Sequence, residues 1–345
     1  MNTNLTREQQ QNAIQRLTAL WAFTESGLGG IMHAFQIPFT GLLVGGMAVI
    51  MISLIADLSE NDHKQVLKSA VIVLIVKAMV SPHTPPPAYV AVAFQALLGF
   101  ALFRLFSVNF ISILLLSTIA MLESAIQKIL IVTLFAGKSL WNAMDAMIEM
   151  LAKQFGSIVS NGSYWVIGIY LLIYLAGGVL IAWLAYRTIR NFKTGNLTLS
   201  LDKSPAVKND LILPEKPARK NNYKKLWILI VLMISLSVIL FFFAADQKQG
   251  WLAVAKTISW TMSAILLWYM LIGPLFTKAI QSLLQKKGSR YSDEVLKTLS
   301  FLPVLKQLTA LSWNQTKEHR GLKRWYSFFA LLIQSTLTYS DTAST

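Results

Sequence analysis

Glu123 and Gln127 sit one helical turn apart in LLLSTIAMLESAIQKIL, a stretch otherwise almost free of charge. Lys77, Gln95 and His83 lie in or beside two other apolar stretches, with Tyr89 near His83. A charge held at mid-bilayer costs about 2.5–3.5 kcal/mol on insertion scales, so such groups turn to the protein interior. Glu and Lys with two amides and an imidazole suit a pocket for a small zwitterionic or polar ring compound. The same residues also permit a plain Lys77–Glu123 ion pair that locks two helices together. Glu25, in the first apolar stretch, is a further carboxylate with a partner to be sought on another helix.

Other chemistries lack their residues. The chain has no cysteine, which removes disulfides, thiolate metal sites and cysteine nucleophiles. Four scattered histidines form no metal-binding spacing, and no cofactor is expected. Gly137-Lys138-Ser139 has Val132 where a phosphate-binding loop needs its first glycine, so the chain is not expected to hydrolyse ATP itself. No motif for a catalytic residue is found, and an enzyme is not expected.

The elements that must position these groups follow from where charge is missing. The chain is 54% hydrophobic and 14% charged over 345 residues. Apolar stretches lie near 17–35, 37–56, 66–82, 88–107, 109–136, 163–186, 225–245 and 252–280. At about 1.5 Å per helical residue, each is long enough for a hydrocarbon core of roughly 30 Å. In lipid, every backbone amide needs a partner within its own segment, so the stretches are expected to be helices. The predicted fold is all-α, a polytopic membrane protein.

The net charge of +15 gathers in two clusters, between Arg187 and Lys225 and between Lys278 and Arg324. Both abut apolar stretches, the pattern of the positive-inside rule rather than of nucleic-acid binding. Placing the basic segment 188–224 in the cytoplasm puts both termini there and turns the proline-bearing loops QIPFTG and SPHTPPPAY outward. Those prolines either stiffen the mouth of a pocket or simply end helices. Glu123, Gln127, Lys77, Gln95 and His83 then share the middle and outer half of the membrane. The expected organisation is a six-span module over 1–187, a basic linker over 188–224, and a module of two spans with cytoplasmic amphipathic helices over 225–345.

Two further patterns concern packing. Ala22, Ser26 and Gly30 recur every fourth residue in ALWAFTESGLGG, a small-residue stripe on which another helix can approach closely, within the bundle or from a partner. Near the C-terminus, Val295, Leu299, Leu302, Leu305, Leu308 and Leu311 recur at helical spacing. They predict an amphipathic helix on the membrane surface or on a partner, broken or bent at Pro303. Gly321 after His319-Arg320 reads as a helix C-cap that exposes an arginine.

Together these features resemble the energy-coupling factor (ECF) transporters. The six spans, the proline-bearing outer loops and the stripe on the first helix are similar to the substrate-binding S component, over roughly 15–187. The stretch 68–106 with 114–137 resembles its third to fifth helices. The C-terminal region resembles the coupling part of the T component, with Ser300-Phe301-Leu302-Pro303 and His319-Arg320-Gly321 standing for one coupling element and Gly288-Ser289-Arg290 for another. A histidine stands where that motif has alanine, and fewer spans precede the coupling region than is usual.

The resemblance implies a bacterial inner-membrane importer that binds a micronutrient from outside and docks on two ATP-cassette ATPase subunits in trans. Lys77, His83, Gln95, Glu123 and Gln127 would form the pocket. Arg320, Gly321 and Arg290 would contact the ATPases, and Ala22, Ser26 and Gly30 would be the sliding face. A non-transport scaffold of an envelope or secretion assembly and a secondary transporter are the competing expectations.

Overall fold

The computed structural model describes residues 6–34, 39–60, 62–81, 84–156, 161–193 and 291–339, with the single positions 275 and 282. The expected spans near 225–245 and 252–280 (position 275 apart), linker residues 194–224, His83 and Arg290 lie outside the described residues, whereas residues 188–193, expected as the start of the linker, continue the helix Gly162–Lys193. Every regular element among the described residues is a helix. Among the described residues, four helices are long and apolar enough to cross a membrane: Thr40–Leu58, Pro86–Phe106, Phe110–Leu134 and Gly162–Lys193. They match four of the apolar stretches read from the sequence, and the chain is a helical protein of multi-pass membrane type.

Contacts divide the chain into two units, one holding residues 1–124, 173–211 and 279–345, the other 125–172 and 212–278. The first unit begins with α1 (Arg7–Phe23), a π-helical turn (Thr24–Leu28) and α2 (Gly29–Ala34), which follow one another without a gap. Thr6 starts α1 with a reciprocal capping box, its hydroxyl bonded to the Gln9 amide and the Gln9 side chain to its own. Next come α3 (Thr40–Leu58), α4 (Lys64–Val80) and α5 (Pro86–Phe106). Pro86 and Pro87 stand in the first turn of α5, where a missing N–H costs nothing, so the proline run starts a helix there.

Helix α1 is the centre of this unit. It packs on α3 and α4, and Leu17, Leu20, Trp21 and Ala22 have no exposure. Its other neighbours come from the far end of the sequence: α8 (Ser292–Gln315) and α9 (Gly321–Thr338). Amphipathic spacing makes α8 helical as expected, and its buried face of Val295, Thr298, Leu305, Leu308 and Ser312 lies in a unit whose α1 and α4 both contact the helix. Pro303 sits inside α8, and the helix continues through it.

Gly321 does not cap a helix. The preceding helix stops earlier, at Gln315, where the Thr316 amide closes the last turn on Asn314 and Ser312. Gly321, at φ +60°, instead opens α9, with exposed Arg320 before it. The turn from Thr316 to Arg320 takes up the residues that sequence spacing assigned to a helix end.

Small residues set the close helix contacts of the first unit. A methyl group on Gly178 of α7 (Gly162–Lys193) would lie 3.1 Å from the Thr118 Cα of α6 (Phe110–Gln154). The Ser117 hydroxyl donates to the Gly178 carbonyl at 2.7 Å. Here two backbones touch, and the hydroxyl supplies a polar bond where lipid supplies none.

The second unit, as described, holds the later part of α6 and the start of α7. Helix α6 is interrupted at Gly137 (φ +66°, ψ −164°), a conformation open to glycine and costly for other residues. Residues 138–154, between the apolar stretches 109–136 and 163–186, are helical. Across the break, the Trp141 indole donates to the Thr133 hydroxyl at 3.1 Å, and the Asp145 carboxylate accepts the Ser163 amide at 2.7 Å.

Candidate functional site

A buried charge pair forms the most constrained polar cluster of the first unit. Lys77 Nζ lies 2.6 Å from Glu25 Oε2, with side-chain exposures of 1% and 4%. The same ammonium donates to the Ala88 carbonyl at 3.3 Å and stands 5.7 Å from the centre of the Tyr89 ring. Carboxylate, carbonyl and π-face therefore surround a cation held away from water, as its survival there demands.

Local sequence explains each contributor. Glu25 lies in the π turn, where the Gly29 amide reaches back five residues to the Thr24 carbonyl. Hydroxyls bond back to carbonyls of the preceding helix: Thr24 Oγ1 donates to Trp21 O at 2.9 Å, which the Thr24 amide also reaches, and Ser26 Oγ to Ala22 O at 2.5 Å. One extra residue in the turn rotates everything after it, which re-aims Glu25. Lys77 stands in the last turn of α4, where the helix dipole favours a cation. The proline-started α5 brings the Ala88 carbonyl and the Tyr89 ring to the opposite side.

Three nearly fully buried polar atoms on α1 and α5 lack a hydrogen-bond partner among the described residues: Trp21 Nε1, the Tyr89 hydroxyl and Gln95 Oε1. Each such group costs about 1–3 kcal/mol against a satisfied one. Gln95 is 2% exposed, and a methyl group on Gly45 of α3 would lie 3.0 Å from its Nε2. The Ser81 and Thr84 hydroxyls are joined at 2.9 Å between α4 and α5.

The residues read from sequence divide as follows. Lys77 and Gln95 are buried in the first unit, with Lys77 against Glu25 rather than Glu123. Glu123 and Gln127 are each half-buried on α6. Ala22 and Ser26 of the small-residue stripe are buried inside the unit, and a methyl group on Gly30 would lie 2.9 Å from the Ser81 hydroxyl of the α4 C-terminus. Sequence reasoning passed over Trp21 and left Glu25 without a partner. The available signal for the pair was that Glu25 and Lys77 are the lone carboxylate and lone inner cation of their apolar stretches.

No protein-family model, curated protein or solved structure matches this chain.

Proposed function

We propose that this chain is the membrane subunit of an ATP-driven importer of ECF type, taking up a micronutrient-sized polar solute and driven by two ATP-cassette ATPases in trans. The observation that supports it best is the double role of α1. One end of the α1 rod carries Glu25, paired with Lys77, and its flank carries α8 and α9. Displacement of α8 and α9 by a nucleotide-driven partner would act on the rod that holds the charge pair.

In this reading a solute bearing both an acceptor and a donor competes for Glu25 and Lys77, with the Tyr89 hydroxyl, Gln95 and Trp21 as further contacts. The pair is already held out of water, so the desolvation that accompanies exchange falls on the solute alone. Exposed Arg320, at the start of α9, meets an ATPase. The membrane is the bacterial inner membrane, with both termini and the basic clusters cytoplasmic.

The test is tandem purification of the full chain co-expressed with an ATP-cassette pair, followed by mass spectrometry of extracted small molecules. The ATPases are expected to co-purify and to be lost with Arg320→Glu. A polar solute is expected with the native chain and absent with Glu25→Gln. A stable complex with a large non-ATPase partner and no solute would establish the scaffold reading in its place.

A further inference from the structure

A cavity of about 280 Å³ lies in the first unit, walled by α1, α3, α7 and α9. Its place along the helices is informative. Leu54 is in the last turn of α3, and Thr188 and Phe192 are close to the end of α7 at Lys193. The cavity therefore sits at the level where two apolar spans stop, which in a bilayer is the level of the lipid headgroups. The adjoining end of α7 carries Arg187, Arg190 and Lys193.

The wall has two chemical halves. Arg16 is the charged residue of the wall among the described residues, directed by a 2.9 Å bond from Nη1 to the Leu337 carbonyl of α9. Asn12 and Gln334 add amide groups beside it, while Leu54, Phe192 and Ile333 form an apolar portion. A guanidinium presents five donors in a planar fork suited to phosphate. Among the described residues of the wall none is a carboxylate. A cation would face Arg16, a wholly apolar guest would bury it, and a small soluble anion would leave the apolar portion uncovered.

We propose that this cavity holds the phosphate and glycerol portion of an anionic phospholipid, with Arg16 as its charge partner. Because α1 and α9 both line the cavity, the lipid braces the C-terminal helix against the central one. The site stands apart from the Glu25–Lys77 pair and does not depend on the transport reading.

The full chain in mild detergent, titrated with phosphatidylglycerol or with diacylglycerol, which lacks the phosphate, and followed by native mass spectrometry, tests the assignment. Phosphatidylglycerol is expected to be retained roughly tenfold more strongly, the weight of one charge-assisted contact. Arg16→Gln is expected to abolish that preference, and Ala13→Phe, which fills the cavity from its α1 wall, to abolish retention of either lipid. Lys323→Gln, exposed on α9 outside the cavity, is expected to change neither. Should Arg16→Gln fail to fold, Gln334→Leu on the α9 wall replaces it, with a reduced preference expected. Equal retention of the two lipids, or a preference that survives both Ala13→Phe and the Arg16 or Gln334 change, overturns the site. Displacement of the lipid by millimolar glycerol 3-phosphate would overturn the lipid assignment in favour of a soluble phosphate ester.

Discussion

Lys77 and Glu25, 52 positions apart in the chain, meet at 2.6 Å in surroundings that water scarcely reaches. A pair so buried is far costlier to break than to omit, because removing one member strands the other charge. Lys77→Met or Glu25→Gln alone is expected to destabilise the purified protein by about 3–5 kcal/mol. The double change Glu25→Leu with Lys77→Met is expected to recover most of that loss, since both charges leave together. Thermal unfolding of the four proteins in one detergent checks this, and a double variant as unstable as the worse single one would refute it. The half-exposed Lys68–Glu294 bridge, 2.7 Å long, supplies the contrast. Lys68→Ala is expected to cost less than about 1 kcal/mol, and less again at high salt.

What could be read of this pair from sequence shows where such reading stops. Both residues stand out as charges in apolar stretches, and burial of both follows from the cost of charge in lipid. Their pairing does not follow, because the direction of Glu25 depends on the π turn. One extra residue in a helical turn rotates the face that follows by about 100°, and no residue in TESGL announces it. Glu123 had an equal claim on Lys77 as long as the helices were treated as regular. The same limit applies to α8: its periodicity predicts a face, but only the fold shows that α1 and α4 are among its neighbours. The four longest spans, by contrast, follow from composition alone, because the demand for internal hydrogen bonding in lipid leaves few alternatives.

The glycines of α7 offer a controlled comparison. Gly178 faces backbone, with the Thr118 Cα and the Ser117 carbonyl oxygen 3.1 Å and 3.4 Å from where a methyl group would stand. Gly168 on the same helix has nothing within 4 Å. Alanine at 178 must push α6 and α7 apart and strain the Ser117 bond, at a cost of about 1–3 kcal/mol. Alanine at 168 removes backbone freedom and adds no clash, for a gain of up to about 1 kcal/mol in helix stability. Opposite shifts of the unfolding temperature for Gly178→Ala and Gly168→Ala are therefore expected. A stabilised Gly178→Ala would mean that the two helices do not touch there.

The attachment of α9 can be probed without changing any charge. Arg187 of α7 lies beside two neighbouring rings, its guanidinium carbon 5.0 Å from the centre of Trp183 and 4.8 Å from that of Tyr326 on α9. The Asn191 amide donates to the Tyr326 hydroxyl at 3.2 Å, so ring and hydroxyl are both held by α7. A planar, delocalised guanidinium reaches both rings, and a compact, strongly hydrated ammonium does so less well. Arg187→Lys keeps the positive charge that sets topology yet weakens the ring contacts, worth about 0.5–1 kcal/mol per exposed contact. A loss of that size raises local opening by about fivefold. Hydrogen exchange of the amides over Gly321–Thr338 is accordingly expected to quicken by that factor, with the α3 amides unaffected. Unchanged exchange in α9 would show that the helix is held by its buried face of Phe328, Leu332 and Ile333 alone, and that the α7 contact is incidental.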